Sequence, residues 1–325
     1  MATLNEVFSR LSVRRRYEVW FLRMGLADGS GAWWFRYLLM NPGRSCPAES
    51  PQGMPVQVWA TWFPANAKPQ TFIQGFPLHG LDISPRGQAP FHLRIGGNEI
   101  GNEICPEIEE ESCRGALHVE GHAIAWNLRY HSTFRVTLSN KGWIGFSRTP
   151  HSDAVFSGEI TLDGRRFASD VLGFGVQGHN CGYRHRNFWT WAHAYFPRPD
   201  RDATTLEALV YEMPFGLVFR KAVLWHDGQQ YIFRNFQDDG NTRENMQWNF
   251  HCVARNGFRL EAAIDGRGPS MHRLPYLKTD GMGSFEVANN SLASASLVIA
   301  SPGGPAERLE TATGAVLEIV RDTVG

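Results

Sequence analysis

The segment from Phe188 to Phe196 alternates strictly between two kinds of side chain, and this alternation limits what the chain can form. In a strand, one face would carry Phe188, Thr190, Ala192, Ala194 and Phe196, and the other Trp189, Trp191, His193 and Tyr195. Successive side chains of a β-strand point to opposite faces, so the pattern predicts a strand with one surface of large amphipathic rings. Such rings bury roughly 150–250 Å² each and belong in a core or a pocket.

The residues before this strand favour a pocket over a plain aromatic core. Gly175, Gly178 and Gly182 surround His179 and Asn180, two polar side chains that packing alone would not require. Glycines at such positions permit tight turning and close approach of a ligand. A packed aromatic core whose His and Tyr tips find hydrogen-bond partners is the alternative interpretation.

The rest of the chain also predicts β structure. Short runs rich in β-branched and aromatic residues recur between Gly, Pro, Asn and Asp, which is typical of an antiparallel sandwich or barrel. A chain of 325 residues is long enough for two domains. Because residues 147–153 are polar and contain a proline near the midpoint, we expect an N-terminal β domain at 1–150 and a C-terminal β domain at 151–325.

Composition narrows the class of partner. The chain has 32 basic and 32 acidic residues, so no electrostatic footprint for nucleic acid or an anionic membrane stands out. Five scattered cysteines without CxxC spacing indicate a reducing compartment. With no secretory signal pattern at the start and no 18-residue apolar run, we expect a cytoplasmic protein without a membrane span.

Several short motifs resemble a known superfamily. A hairpin at 155–164 precedes Gly178-His179-Asn180-Cys181-Gly182, which leads into Trp189-Thr190-Trp191. Near the start, Tyr17-Glu18-Val19-Trp20-Phe21 is followed by the strand Trp33-Trp34-Phe35-Arg36-Tyr37. This order is similar to that of two-domain lipocalin-like proteins, which include carotenoid 1,2-hydratases, tocopherol cyclases and fungal intramolecular Diels–Alderases. Cys181 stands where such proteins usually have Trp.

The resemblance implies an all-β protein of two lipocalin-like barrel or sandwich domains packed together, with a hydrophobic small molecule as its partner. It implies a cofactor-free cyclase, isomerase or hydratase acting on a terpenoid, polyene or polyketide-like substrate. We expect the substrate to contact Trp189, Trp191, Tyr195, Tyr183, Cys181 and Trp34. Indole and phenol faces can stabilise a carbocation by about 0.5–2 kcal/mol each.

The proton donor is the open question of this hypothesis. His179 is the first candidate and His193 the second, because imidazole titrates near neutrality, and Asn180 would orient the substrate or the histidine. A carbocation reaction usually needs a stronger acid, and a buried carboxyl kept protonated would serve. Asp170, Glu207 and Glu212 lie near in sequence, but nothing in the sequence chooses among them.

Three other functions fit parts of the same pattern. A non-catalytic carrier of a lipophilic ligand would use the same pocket. His179, Cys181, His185 and His193 are zinc-type ligands, although their spacing matches no strong zinc pattern, so no metal and no other cofactor is expected. Cys181 beside a histidine would make a thiolate nucleophile, but a cysteine among aromatic residues is inert by default. The sequence does not determine the oligomeric state.

Overall fold

The computed structural model describes residues 4–7, 16–41, 53–85, 88–96, 104–141, 145–183, 185, 188–198, 202–234, 236–238, 245–280 and 283–321. Within these ranges almost all regular structure is antiparallel strand. The helical segments among these residues are two short 3-10 turns, Leu78–Gly80 and Pro214–Gly216. None of the helical residues described forms a helix long and apolar enough to cross a membrane. The predicted all-β fold class is confirmed.

The first sheet contains the strands of the N-terminal half. These are β1 (Arg16–Leu26), β2 (Gly31–Asn41), β3 (Val56–Pro64), β4 (Gln70–Phe76), β5 (Leu81–Ile83), β6 (His92–Ile95), β7 (Glu107–Glu109), β8 (Ser112–Val119), β9 (His122–His131), β10 (Val136–Asn140), β11 (Gly145–Leu162) and β12 (Arg165–Gly182). Among the described residues the strand order is β4-β3-β2-β1-β12-β11-β9-β8-β7-β6-β5, and β10 pairs with β11.

The second sheet contains the strands of the C-terminal half. These are β13 (Phe188–Phe196), β14 (Thr204–Glu212), β15 (Val218–His226), β16 (Gln229–Arg234), β17 (Gln237–Asp238), β18 (Gln247–Val253), β19 (Arg259–Asp265), β20 (His272–Leu277), β21 (Ser284–Ala300) and β22 (Ala306–Arg321). Their order is β16-β15-β14-β13-β22-β21-β19-β18-β17, and β20 pairs with β21. Each curled sheet encloses its own apolar core.

The sheets divide later in the chain than the predicted domain junction. Residues 147–153 lie inside β11, a strand that pairs with both β9 and β12 of the first sheet. These polar residues are therefore part of a strand and not a linker. They coincide with a stretch where the pairing of β11 with β12 shifts register, between Arg148 and His151 and between His151 and Ala154. The change of sheet falls between Gly182 and Phe188.

The central strands of the two sheets are buried on both faces. In β1, Trp20, Leu22 and Met24 point into the core of the first sheet. Val19 and Phe21 point the other way, into a second apolar layer that also contains Trp191 and Leu209 of the second sheet. Strand β13 is also buried on both faces, which explains the alternation predicted for it. Ala192 and Ala194 face the core of their own sheet, and Trp191 faces the apolar layer between the sheets. We call it the inter-sheet layer.

The glycines before β13 do not form the predicted turn, since β12 continues as strand through Gly182. They make room for rings on the neighbouring strand β1. A Cβ atom on Gly178 would lie 2.2 Å from the Phe21 ring, and one on Gly182 would lie 3.1 Å from the ring of Tyr17. At these positions the side chains that approach the glycine backbone are aromatic rings of β1.

Arg23 ties the two sheets together. This buried β1 side chain donates to the backbone carbonyl oxygens of four residues in strands β21 and β22 of the second sheet: Ser291 at 3.1 Å, Thr313 at 2.8 Å, Gly314 at 3.2 Å and Ala315 at 3.0 Å. Carbonyls this deep would otherwise lack partners.

We expect Arg23→Met to lower the free energy of unfolding by about 2–3 kcal/mol, because buried acceptors lose a charged donor. Urea unfolding monitored by tryptophan fluorescence measures this loss. The exposed Arg166, which pairs with Glu159 at 2.7 Å, supplies the control, and Arg166→Met should cost less than about 1 kcal/mol. Equal stability of the two variants would contradict the bridging role of Arg23.

Candidate active site

A cavity of about 280 Å³ opens in the inter-sheet layer, at the low end of the roughly 300–1,000 Å³ usual for small-molecule sites. Both sheets contribute to it. Its walls include Tyr17, Val19, Phe21, Trp34 and Arg36 from β1 and β2, Asn180 and Cys181 from β12, Trp189 and Trp191 from β13, Leu209 and Tyr211 from β14, Tyr276 from β20 and Glu318 from β22. His185, in the connection between the sheets, completes one side.

The walls are mostly aromatic rings that hold one another in place. Trp191 meets Phe21 edge-on, with ring centroids 5.4 Å apart, and this contact joins β13 to β1. His185 stacks on Tyr17 at 4.1 Å and lies 6.0 Å from the ring of Trp189. Such pairs fix ring orientation in addition to the area they bury. The cavity therefore has ordered aromatic walls, and polar side chains enter it at several points.

One of those polar groups is the carboxyl of Glu318. Trp189 Nε1 donates to Glu318 Oε1 at 2.8 Å, and Asn289 Nδ2 donates to Oε2 at 3.4 Å. Burial raises the pKa of Glu318 above its ordinary value, and the two donors and the charge of Arg36 only partly oppose this effect. The neutral acid is therefore favoured more than in a surface glutamate, at a position facing the cavity.

Several buried polar atoms around the cavity have no hydrogen-bond partner among the described residues. They are Arg36 Nη1, Trp34 Nε1, Asn180 Oδ1, His185 Nδ1 and Tyr276 Oη. Burial without a partner is costly for each of them. Their concentration around one apolar cavity is what a binding site for a partly polar molecule requires. Burial and the charge of Arg36 lower the pKa of His185 to about 3, so its ring is neutral.

A second buried carboxyl, Glu207, supports the cavity wall from behind. Its Oε1 accepts hydrogen bonds from Thr149 Oγ1 at 2.8 Å and from Trp191 Nε1 at 3.0 Å. Thr149 belongs to the first sheet, so this carboxyl links the two sheets while fixing the Trp191 ring. Burial raises the pKa of Glu207 to about 7.

The cavity brings together most of the residues that the sequence singled out. Asn180, Cys181, Tyr183, Trp189, Trp191 and Trp34 all line it. The Cys181 sulfur accepts a hydrogen bond from Arg16 Nη2 at 3.3 Å.

The predicted catalytic histidines lie elsewhere. His179 is wholly buried, stacks on Trp20 at 4.6 Å and is held between the Leu4 carbonyl oxygen at 2.7 Å and Glu18 Oε1 at 2.8 Å. In the β1–β12 register it lies opposite Trp20, a residue of the first core, so His179 and Trp191 point into different compartments. His179 therefore stabilises the N-terminal segment against β12.

His193 and Tyr195 are on the expected face of β13 but beyond the cavity. His193 Nε2 donates to the Ser152 carbonyl oxygen at 2.7 Å, and burial lowers the pKa of this histidine to about 3. Tyr195 stacks on Phe174 at 5.0 Å. Both fill the inter-sheet layer where strand β13 runs past the end of the cavity.

Sequence reasoning missed Glu318, Arg36, His185 and Tyr276 as site residues. A signal was present for the first two. Glu318 interrupts the apolar run from Ala315 to Val320, and Arg36 stands between Phe35 and Tyr37. A charge in the middle of an apolar strand is rarely left on a solvated face. His185 and Tyr276 carry no such local signal, because only the packing of the two sheets brings them to the cavity.

The zinc-type residues do not converge. His179 is held in the first core and His193 is bound to Ser152. Within the described part of the chain, one group of three possible metal ligands has its ligand atoms within 4.8 Å of one another, and it consists of His226, Asp227 and Glu307. Arg198 donates to both of these carboxylates, at 2.5 and 3.2 Å, and so compensates one of their two negative charges.

Comparisons with known proteins agree with this architecture. No family model and no curated protein matches the chain. Among solved structures, the chain has the two-domain lipocalin-like β fold of CghA, determined with Sch210972, with a TM-score of 0.64 and 8% identity over 94% of this chain and 88% of that one. Kievitone hydratase from Nectria haematococca gives a TM-score of 0.53 and 12% identity over 99% of this chain and 96% of that one. The predicted two-domain lipocalin-like fold is thus confirmed.

Glu207 makes stability depend on pH in a defined direction. The unfolded carboxyl ionises near 4.5, whereas the folded one keeps its proton to about pH 7. The contribution of the protonated Glu207 to the free energy of unfolding is therefore complete below pH 4.5. It is lost as pH rises to about 7, which lowers the free energy of unfolding by about 2–3 kcal/mol in total. We expect Glu207→Gln to gain this much relative to the wild type between pH 5 and pH 8, measured as urea unfolding free energies. A difference between the two proteins that does not change with pH would contradict the assignment.

Proposed function

We propose that the protein is a cofactor-free enzyme of the cyclase, isomerase or hydratase type, acting on a hydrophobic small molecule in the inter-sheet cavity. The observation that carries this proposal is the buried carboxyl of Glu318, with a raised pKa, in a cavity whose walls carry many aromatic rings. A protein that only holds a lipophilic ligand has no need of an ionisable group with a shifted pKa facing that ligand.

The cavity supports a substrate of the terpenoid, polyene or polyketide type. Aromatic rings from both sheets can contact an extended apolar molecule along its length. About 280 Å³ leaves room for part of such a molecule, and the polar side chains at the walls would fix its orientation.

Glu318 is the group that we assign as the general acid or base. The Trp189 N–H on one oxygen and the Asn289 amide on the other hold the carboxyl in one orientation. A carboxyl whose pKa burial raises above the ordinary glutamate value can give up a proton to the substrate and take one back within a turnover. This choice replaces the histidines expected from the sequence, because neither His179 nor His193 lines the cavity.

The fold of the neighbours is compatible with this assignment. One of them carries the name of a hydratase, and the other was determined with a small molecule, Sch210972. With identities of 8 and 12%, the reaction has to be assigned from this chain's own residues. Asn180, whose Oδ1 has no partner among the described residues, is the group that we assign to orienting the substrate.

The first test is native mass spectrometry of the purified protein, followed by organic extraction and identification of what co-purifies. We expect a lipophilic compound or its cyclised, isomerised or hydrated product. A compound that binds the wild type but is recovered unchanged after incubation would favour a carrier over an enzyme.

Glu318→Gln tests the assigned acid or base. We expect turnover of the identified substrate to fall about 100-fold or more, because a positioned proton-transfer group contributes about 10²–10⁴-fold. Binding should persist, since the amide oxygen can still accept from Trp189. The control is Glu310→Gln, an exposed residue of the same strand that pairs with Arg308. Wild-type turnover by Glu318→Gln would contradict the assignment.

A further inference from the structure

Arg36 is a buried cation that has no hydrogen-bond acceptor among the residues the structure describes. Its residue is 5% exposed, it lines the cavity, and its Nη1 has no hydrogen-bond partner among the described residues. Nor does any described carboxylate form an ion pair with it. A buried charge normally needs a paired and hydrogen-bonded environment, so an arginine of this kind requires an explanation.

Three aromatic rings fix the Arg36 guanidinium in place. Its central carbon lies 4.2 Å from the centroid of the Tyr276 ring, 4.8 Å from that of Trp59 and 5.3 Å from that of Trp34. Ring faces attract the cation but accept none of its five N–H groups in a linear hydrogen bond. The guanidinium is therefore oriented without being satisfied.

Arg23 shows what a structural arginine in the same layer looks like. It lies on β1, the neighbouring strand, and faces the same side of the sheet, yet its donors reach carbonyl oxygens of Ser291, Thr313, Gly314 and Ala315. Arg36 has no comparable set. The difference separates an arginine that supports the fold from one that is held ready for another molecule.

Glu318 is not the missing acceptor. Its oxygens already receive hydrogen bonds from Trp189 and Asn289. Burial also raises the pKa of Glu318, which favours the neutral acid over a counter-ion. The other polar atoms beside Arg36 that lack described partners, Trp34 Nε1 and Tyr276 Oη, can each donate a hydrogen bond. This end of the cavity is therefore rich in donors and poor in acceptors.

We propose that Arg36, with Trp34 Nε1 and Tyr276 Oη, binds an anionic oxygen group of the substrate, a carboxylate or an enolate. The inference rests on the proposed function and narrows its substrate class to lipophilic acids, as opposed to pure hydrocarbons. A planar guanidinium and flanking donors match two oxygens better than one point charge would.

This assignment also constrains the chemistry. A fixed, buried cation at one end of the cavity disfavours a carbocation close to it and stabilises negative charge that develops on a substrate oxygen. Proton transfer by Glu318 would then occur next to an activated oxygen-bearing group. Reactions that proceed through enolate-like charge fit this arrangement better than protonation of an isolated alkene.

The test measures how tightly the purified wild type binds two fluorescent probes, cis-parinaric acid and its methyl ester. The acid carries a negative charge and the ester does not. We expect the acid to bind at least about tenfold more tightly, the usual effect of a charge-assisted hydrogen bond. Arg36→Met should abolish this preference and bind both probes alike. Arg36→Lys should retain part of it, because the charge remains but the planar fork is lost.

Two controls separate a binding role from a structural one. Lys141 also lines the cavity, 5.9 Å from the Phe219 ring centroid, and Lys141→Met should leave the acid-to-ester ratio unchanged. Arg36→Met should unfold at the same or a higher urea concentration than the wild type, because it removes an unsatisfied buried charge.

Each outcome decides between the ideas. Equal binding of acid and ester by the wild type would overturn the anion site and leave the proposed function standing. The anion site would also be overturned if Lys141→Met abolished the acid-to-ester preference while Arg36→Met preserved it. A clear loss of stability in Arg36→Met would likewise overturn it. Failure of both probes to bind would overturn the hydrophobic cavity itself, and the proposed function with it.

Discussion

The structure depends on one constraint, which is that its central strands are buried on both faces. Strand β1 gives Trp20 to the core of its own sheet and Phe21 to the inter-sheet layer. Strand β13 does the same with Ala192 and Trp191. Neither sheet can expose such a second face, because it would present a large apolar surface to water. The sheets therefore pack together, and the cavity is the space that bulky rings leave where two curled surfaces meet.

Charged residues inside this layer are informative because each must be neutralised or satisfied. Arg23 is satisfied by carbonyl oxygens of the opposite sheet. Glu207 also joins the sheets through one oxygen, which accepts from Thr149 and Trp191, while its other oxygen has no partner among the described residues and burial raises the pKa of the carboxyl. Arg36 and Glu318 face the cavity, and the Arg36 guanidinium stays without an acceptor among the described residues. The contrast between Arg23 and Arg36 distinguishes an arginine that holds the fold from one that awaits a ligand, and it underlies the proposed anion site.

The low identity to the structural neighbours fits this division. At 8 to 12% identity, what is shared is the fold, the arrangement of the strands in two sheets. Chemistry depends on which polar side chains enter that space, and here these include Arg36, Asn180, His185 and Glu318. A family name would therefore predict the position of the site better than its reaction.

The sequence alone determined the all-β class, the β13 strand and its two faces, and six of the residues that line the cavity. Alternation has a period of two, so local pattern is enough to assign a face. Pattern does not tell which compartment that face meets. His179 and Trp191 looked like partners, yet β12 turns His179 into the first core while β13 turns Trp191 toward the layer between the sheets.

Tertiary structure decided the rest, because the site is assembled from strands far apart in the chain. Glu318 reaches the cavity because its strand, β22, pairs with β13. Arg36 reaches it because its strand, β2, pairs with β1. The shift of the Glu318 pKa arises from burial, and burial exists only after both sheets have closed over the carboxyl. Residue type and spacing set which side chains were available. The packing of one sheet against the other decided which of them meet, and in what protonation state.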